Sequence, residues 1–133
     1  MSVDHEAVQI ALYDVLAGGG FGLPILWAGV DYGAMPDEFL STQIIRARGT
    51  AESYTTGRFV GEFVVTHKIK GGGGTTHGTA IATDIADTFN AAGPHLSYSG
   101  GVINMSSPAT PLGPLPSAEW IETPCAIPFW VLG

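Results

Sequence analysis

A helical repeat of apolar side chains begins the chain. Within Asp4–Ala17, apolar residues recur at intervals of three and four, which is the spacing of one buried helix face. Ser2 is placed to cap this helix, because a serine hydroxyl accepts from the first free N–H groups, and the glycines that follow Ala17 end it. The predicted core stripe consists of Val8, Leu12 and Val15, with Ala11 and Leu16 beside them.

A second helix is predicted directly after the four-glycine segment Gly71–Gly74. Its apolar residues again repeat with a helical period, and its aspartates lie away from them. Thr75 or Thr76 is the expected cap, and Gly93-Pro94 ends the helix. The predicted stripe consists of Ile81, Ile85, Thr88, Phe89 and Ala92.

The two longest alternating segments predict a pair of neighbouring strands. Residues of Glu38–Arg48 and Gly57–Lys70 sort onto two faces with a period of two, and one face of each segment is richer in apolar side chains, as in strands with a buried face. Because only Gly49–Thr56 separates them, an antiparallel hairpin is favoured. The predicted core face of the second strand carries Phe59, Phe63, Val65 and Ile69, and its other face carries Val60 and Val64.

Three further strands are predicted at Leu23–Ala28, Leu96–Asn104 and Glu119–Val131. The last contains Pro124 and Pro128, and proline favours an edge or bulged strand because it cannot donate to a ladder. Residues 105–117 hold four prolines and are predicted as a loop. The order α-β-β-β-α-β-β predicts an α+β fold, with two helices packed on a mostly antiparallel mixed sheet of about four to five strands.

Composition adds a size and a charge to this picture. A chain of 133 residues is expected to form one domain over residues 1–133. Five Lys and Arg against twelve Asp and Glu give a net charge of −7, which argues against tight nucleic-acid binding, since phosphate neutralisation supplies most of that affinity. Neither a positively charged leader nor a long apolar stretch is present, so neither a signal peptide nor a membrane span is predicted.

The glycine segment is a candidate phosphate-binding loop, since a strand, a glycine loop and a helix follow one another there. The phosphate loop G-x-x-x-x-G-K-[ST] needs a lysine, however, and this chain has His77 instead. The spacing of G-x-G-x-x-G is not met either. We expect a linker or a loop that orders against a partner chain. A small ligand- or nucleotide-binding domain that uses Gly71–Gly74 is the alternative.

The histidines and the single cysteine predict no catalytic or metal centre. His67 and His77 flank the glycine segment and could converge, but the chain has neither an H-E-x-x-H pair nor Cys–His zinc spacing. Solvated surface histidines are therefore predicted at all four positions. Cys125 lies on the apolar face of the last predicted strand, as a small buried hydrophobe does. We expect no enzymatic activity and no cofactor.

The cations gather on the predicted hairpin, whereas the acids are spread along the rest of the chain. Such an asymmetry would let this part of one subunit meet an acidic edge of another copy. The glycine segment and the proline-rich loop are added to this predicted interface. It comprises Arg46, Arg48, Arg58, Lys68, Lys70, Gly71, Gly72, Gly73, Gly74, Pro108 and Pro111.

The order of several motifs resembles a family of tailed-phage proteins. An apolar Pro24-Ile25-Leu26-Trp27 segment follows the first helix. A strand of the "G-x-F-x-V" type spans residues 57–65, and a helix after the glycine loop contains Ala86-Asp87-Thr88-Phe89. The final strand includes residues 120–129. In this order, over residues 3–131, the chain is similar to siphophage tail terminators, the minor tail protein U type.

The resemblance implies a structural protein of the virion without catalysis or cofactor. Members form a homohexameric ring at the head-proximal end of the tail tube, stop polymerisation of the major tail tube protein and present a surface to the head-completion (connector) protein. DNA would pass through the lumen without specific binding, and no membrane is involved. The expected location is the tail–neck junction, after assembly in the host cytoplasm. Another neck or tail-completion subunit is the alternative within this biology.

Overall fold

The computed structural model describes residues 4–30, 33–46, 50–51, 57–71, 75–116 and 119–132. Within these ranges the chain forms two helices and nine strands. The helices are α1 (His5–Ala17) and α2 (Thr76–Ala92). The strands are β1 (Ile25–Leu26), β2 (Glu38–Arg46), β3 (Thr50–Ala51), β4 (Gly57–Lys70), β5 (His95–Tyr98), β6 (Gly101–Met105), β7 (Thr110–Pro111), β8 (Leu115–Pro116) and β9 (Trp120–Leu132).

One mixed sheet contains all these strands, in the order β1-β2-β4-β9-β6-β5. Strand β1 runs parallel to β2, and the other pairs are antiparallel. The predicted α+β class is therefore confirmed. The predicted count of four to five strands and the α-β-β-β-α-β-β order are wrong, because the two-residue strands β3, β7 and β8 are too short to show an alternation.

The hairpin of β2 and β4 is antiparallel as predicted, with Arg46 opposite Gly61 and Glu38 opposite Ile69. The bounds of β4 agree with the prediction, whereas β2 is described only as far as Arg46. The segment Leu96–Asn104, predicted as one interrupted strand, is a second hairpin in which β5 pairs with β6. Of the predicted strand Leu23–Ala28, only the two residues of β1 pair with a neighbour.

Strand β9 lies in the interior of the sheet, so the predicted edge position is wrong. It pairs with β4 along its whole length, and β6, β7 and β8 follow one another along its other side. The C=O groups of Pro124 and Pro128 accept from the N–H groups of Leu112 and Ser106 on that interrupted side. In an antiparallel ladder the N–H and C=O of one residue point the same way. The N–H groups that the two prolines lack would therefore point toward the side of β9 on which β6, β7 and β8 lie. Their absence removes no hydrogen bond between β4 and β9.

The N-cap of α2 is Thr75, one of the two predicted residues, whereas the N-cap of α1 is Asp4. The side chain of Asp4 accepts from the N–H of Ala7 at 3.1 Å and caps α1, whereas the predicted cap, Ser2, lies outside the described residues. Thr75 is the N-cap of α2 without a side-chain hydrogen bond. The buried residues of α2 are Gly78, Ala82, Ile85, Ala86 and Phe89, so the stripe is turned slightly from the predicted one.

Both helices pack on one face of the sheet, which we call the helix-covered face. The ring of Phe63 on β4 lies 5.8 Å from Tyr13 of α1 and 5.7 Å from Phe89 of α2. The strand residues of the main core cluster are Leu40, Phe63, Val65, Ile103, Cys125, Ile127, Phe129 and Val131. Two further buried apolar residues, Phe39 and Ala126, lie on the opposite face. We call the opposite side the helix-free face, since neither α1 nor α2 contacts it. Within the described residues, neither helix has the length and apolarity needed to cross a bilayer.

Candidate functional site

Three ionisable side chains meet at one end of the sheet, where α2 begins. The Oε2 atom of Glu38 lies 2.7 Å from Nε2 of His67 and 2.6 Å from Nε2 of His77. The two imidazole rings lie 5.4 Å apart and nearly perpendicular to each other. One carboxylate oxygen thus accepts from two histidines that are ten positions apart in the sequence.

The register of the sheet brings these residues together. On β4, His67 has the same parity as Phe63 and Val65, so it faces the helices rather than solvent. Its cross-strand neighbours are Leu40 on β2 and Thr123 on β9. Glu38 is two residues before Leu40 on β2, and therefore lies diagonal to His67 on the same face. His77 is supplied from above by the first turn of α2.

The carboxylate of Glu38 is held in its charged form. The hydrogen bond from His67 lowers the pKa of Glu38, and the hydrogen bond and charge of His77 add to this effect, against the opposing effect of desolvation. Stabilisation of the ionised form by donated hydrogen bonds is the expected response of a carboxylate. The site therefore presents a negative charge between two imidazoles.

Two buried polar atoms without a hydrogen-bond partner among the described residues lie on the inner side of the His67–Glu38 pair. The side chains of His67 and Thr123 are both 0% exposed, and neither Nδ1 of His67 nor Oγ1 of Thr123 has a hydrogen-bond partner within the described residues. Gly78 of α2 packs directly over both. A Cβ at that position would lie 2.5 Å from Thr123 Oγ1 and 3.2 Å from His67 Nδ1, so only glycine allows the helix to approach this closely.

Thr123, His67 and Glu38 follow one another as the hydroxyl, imidazole and carboxylate of a hydrolytic triad do, but the hydroxyl lies on the buried side. Thr123 is fully buried beneath Gly78, so no substrate reaches its hydroxyl. The open side is that of His77 and Glu38, whose side chains are 49% and 27% exposed. The three ligand atoms of the Glu38–His67–His77 cluster lie within 4.8 Å of one another. Two imidazoles and a carboxylate at this spacing suit the binding of a metal ion better than nucleophilic catalysis.

The prediction of four solvated surface histidines is wrong for His67, which is completely buried. His5 packs edge-on against Phe59 at 4.5 Å, and His95 hydrogen-bonds to Asn104. A signal for His67 was present in the sequence, because it occupies a core-facing position in the clearest alternating strand. The prediction for Cys125 is confirmed, since it is buried and desolvation raises its pKa to about 12.

The cations of the predicted interface do not lie together. Lys68 pairs with Glu122 at 3.0 Å, and Lys70 approaches Asp37 at 3.9 Å. Arg46 and Arg58 belong to the far ends of β2 and β4. At about 3.3 Å per strand residue, Arg58 lies roughly 33 Å from Lys68, and Arg46, which pairs with Gly61, lies roughly 23 Å from it. Arg48 lies outside the described residues.

The remaining predicted interface residues occupy two separate places. Gly71 donates its N–H to the carbonyl of Glu119 at 2.7 Å, whereas Gly72, Gly73 and Gly74 lie outside the described residues. Pro108 is exposed before β7, and Pro111 belongs to β7, opposite Cys125. The predicted loop 105–117 is thus a partly paired strip along β9 rather than a free loop.

The helix-free face carries an apolar region that sequence reasoning did not name as an interface. Ile45 and Leu132 are 48% and 56% exposed. Half-buried apolar residues of β4 and β9 lie between them and pair across the strands, as Val60 and Trp130 do. We call this region the outer patch; its residues are Ile45, Val60, Val64, Pro128, Trp130 and Leu132.

A second apolar surface lies on the opposite side of the molecule. The groove between α1 and β5 has a volume of about 450 Å³ and is lined by Ala7, Ile10, Ala11 and Leu96, among others. The side chain of Ile10 is 51% exposed there. We call it the α1–β5 groove.

Comparison with known proteins adds a fold but no function. No family model matches the chain, and no curated protein matches it. One solved structure, of a protein that carries only a serial designation, covers 98% of this chain and 96% of its own, with a TM-score of 0.73 at 16% sequence identity. At that identity the likeness shows a shared fold.

Proposed function

We propose that this protein is a structural subunit of a phage virion, a tail terminator that forms a ring on the head-proximal end of the tail tube. In this role it stops polymerisation of the tube protein and joins the tail to the head-completion protein. Its work is done by binding surfaces, with no chemical step. The motif order over residues 3–131 suggests the family, and the surfaces of the folded chain support a self-associating subunit.

The outer patch is the observation that carries the proposal. It spans three adjacent strands, and its partly exposed residues include Trp130 and Pro128. The patch is interrupted by Glu62, which pairs with both Ile45 and Pro128. Exposed apolar clusters mark protein–protein contacts in soluble proteins. At the other end of the same face, Phe39 is covered by Trp120 and by Lys68. Within the described residues, that end is covered by the chain's own side chains, whereas Ile45 and Leu132 of the outer patch stay about half exposed.

The α1–β5 groove supplies the second surface that a ring needs. A ring closes through head-to-tail contacts, so each subunit must offer two different complementary surfaces. The outer patch and the groove lie on opposite sides of the sheet, because α1 packs on the helix-covered face. We infer that the outer patch of one copy contacts the α1–β5 groove of the next.

A capping assay tests the proposed function. Purified chain is mixed with the tail tube protein of the same phage, and negative-stain microscopy records tube length and tube ends. The expected result is short tubes with a ring at one end, and released rings with the mass of a hexamer against 13.8 kDa for one chain. Tubes that elongate freely in excess chain would overturn the proposal.

A matched pair of variants assigns the effect to the outer patch. Ile45→Glu places a charge on the patch at a site that is 48% exposed, so it should leave the melting temperature nearly unchanged and abolish capping. Gln43→Glu adds the same charge two residues away on the same face of β2, where the side chain is already polar and exposed. It should cap tubes like the wild type. Equal capping by both variants would exclude the patch as a contact.

A further inference from the structure

We propose that Glu38, His67 and His77 form a binding site for a divalent transition-metal ion of the Zn²⁺ class. The ion would be held by Nε2 of each histidine and by the carboxylate of Glu38. This site is independent of the proposed ring contact at the outer patch. It lies on the helix-covered face, where β2 begins and β4 ends, whereas the outer patch lies on the helix-free face. It would fasten the first turn of α2 to the sheet.

The donor atoms are already gathered around one point. Glu38 Oε2 lies 2.7 and 2.6 Å from the two Nε2 atoms. Ligands of a tetrahedral Zn²⁺ lie about 2.0–2.2 Å from the ion, and hence roughly 3.4 Å from one another. Each Nε2–Oε2 distance therefore has to widen by less than about 1 Å, and the two Nε2 atoms, which lie within 4.8 Å of each other, have to reach the same spacing. Each neutral imidazole that now donates its Nε2 proton to the carboxylate would change tautomer, so that its proton lies on Nδ1 and the Nε2 lone pair is free for the metal.

The environment of His67 fits a metal ligand better than an isolated buried histidine. A histidine that binds metal through Nε2 carries its proton on Nδ1 and donates it to an outer acceptor. Nδ1 of His67 and Oγ1 of Thr123 are both fully buried and both without a partner, and they border the same space beneath Gly78. Thr123 Oγ1 is the available acceptor. A small rotation that joins these two atoms would satisfy both and orient the ring.

The open side of the site leaves a coordination position for another ligand. Only three protein donors come together within the described residues, and His77 and Glu38 are partly exposed. Two histidines and a glutamate with one further position form a known Zn²⁺ ligand set. A water molecule, or a carboxylate or imidazole from another chain, would complete the coordination.

The chemistry of the donors predicts which ions compete. Imidazole nitrogens suit Zn²⁺, Co²⁺, Ni²⁺ and Cu²⁺, whereas Mg²⁺ and Ca²⁺ prefer oxygen ligands. A millimolar excess of Mg²⁺ should therefore leave bound Co²⁺ in place. Displacement of Co²⁺ by Mg²⁺ would contradict a site built on histidine nitrogens.

Titration of tag-free full-length chain with Co²⁺ and Zn²⁺ tests the site directly. The visible absorption of Co²⁺ reports its coordination, and competition by Zn²⁺ gives the affinity. The wild type should bind one equivalent with a saturable tetrahedral-type spectrum, and its melting temperature should rise with added Zn²⁺. His77→Ala and Glu38→Gln should each weaken binding by at least about tenfold. His95→Ala, an exposed histidine paired with Asn104, is the matched control and should bind like the wild type.

Thr123 is a positioning residue in this proposal, and its variants separate orientation from packing. Thr123→Val removes the acceptor and should weaken Co²⁺ affinity about tenfold, and Thr123→Ser should restore it. Melting of each variant without metal verifies that it is folded. The proposal is overturned if the wild type shows no saturable binding, if His77→Ala and Glu38→Gln bind like the wild type, or if His95→Ala loses binding equally.

Discussion

The two faces of the central strands differ in how much of their side chains is exposed to solvent. On the helix-covered face, residues such as Phe63, Val65 and Cys125 have no exposure. The ionisable groups described on this face gather at one end, where His67 faces Glu38 and His77. On the helix-free face, the same strands show ion pairs, prolines and half-exposed apolar side chains. One alternating sequence thus encodes a core on one side and a partly exposed, mixed polar and apolar surface on the other.

The largest expected effect lies on the helix-covered face. Ile85 of α2 is 0% exposed, so Ile85→Asp buries a charge without a partner and should cost at least about 3 kcal/mol of folding free energy. Loss of the cooperative melting transition in circular dichroism is the expected observation. The neighbouring Asp84→Asn, on the exposed side of α2, should melt like the wild type. An unchanged transition for Ile85→Asp would contradict the packing of α2.

The thiol of Cys125 should be almost inert in the folded protein. Burial raises its pKa to about 12 from an ordinary value of 9.0, so at pH 9 the native thiol stays protonated while an unfolded one is half ionised. Because the folded-state pKa is the higher one, this group's contribution to stability is present below pH 9 and is lost as pH rises from there. Iodoacetamide at pH 9 should label the chain only in denaturant. Rapid labelling of the native protein would show that β9 is open.

A smaller effect is expected where α2 approaches the sheet. Gly78→Ala would place a Cβ 2.5 Å from Thr123 Oγ1, and the strain should exceed the gain in helix propensity by about 1–2 kcal/mol. Urea denaturation measures this difference. Adding Thr123→Ala removes the closest atom and should recover part of the loss, whereas Thr83→Ala on the exposed side of α2 should change stability by less than about 0.5 kcal/mol. A stabilising Gly78→Ala would contradict the close contact.

The smallest effect is expected on the helix-free face. Lys68 and Glu122 lie 3.0 Å apart with side chains about one third exposed, so Glu122→Gln should cost no more than about 1 kcal/mol, and less in high salt. Asp37, 88% exposed and 3.9 Å from Lys70, provides the control, since Asp37→Asn should have no measurable effect. Equal losses of stability from Glu122→Gln and Asp37→Asn would contradict the expectation that the Lys68–Glu122 pair contributes more than the Lys70–Asp37 pair.

Regular alternation explains which elements could be predicted from the sequence. The fourteen residues of β4 repeat with a period of two, and the strand has the predicted bounds. The seventeen residues of α2 repeat with a helical period and were also predicted closely. Strands of two residues, such as β7, carry no period. The interior position of β9 could not be predicted, because prolines in a strand suggest an edge. Only the structure shows which neighbouring strand the absent proline N–H groups would have faced.

The candidate metal cluster was hidden for a different reason. His67 and His77 are separated by a glycine segment, and Glu38 is 29 positions before His67. Only the register of β2 on β4 and the placement of α2 above them bring the three side chains together. The sequence indicates that His67 faces the core, because it alternates in step with Phe63 and Val65. Its partners depend on tertiary contacts that local spacing does not encode.

Paired cysteine substitutions test the ring contact most directly. Ile45→Cys on the outer patch and Ile10→Cys in the α1–β5 groove, combined in one chain whose own Cys125 is buried, should give oxidised products that form a ladder and end at a closed hexamer. Each single variant alone should stay uncrosslinked, since a head-to-tail contact never brings two identical positions together. Cross-linked dimers from either single variant, or only monomers from the double variant on capped tubes, would contradict the account.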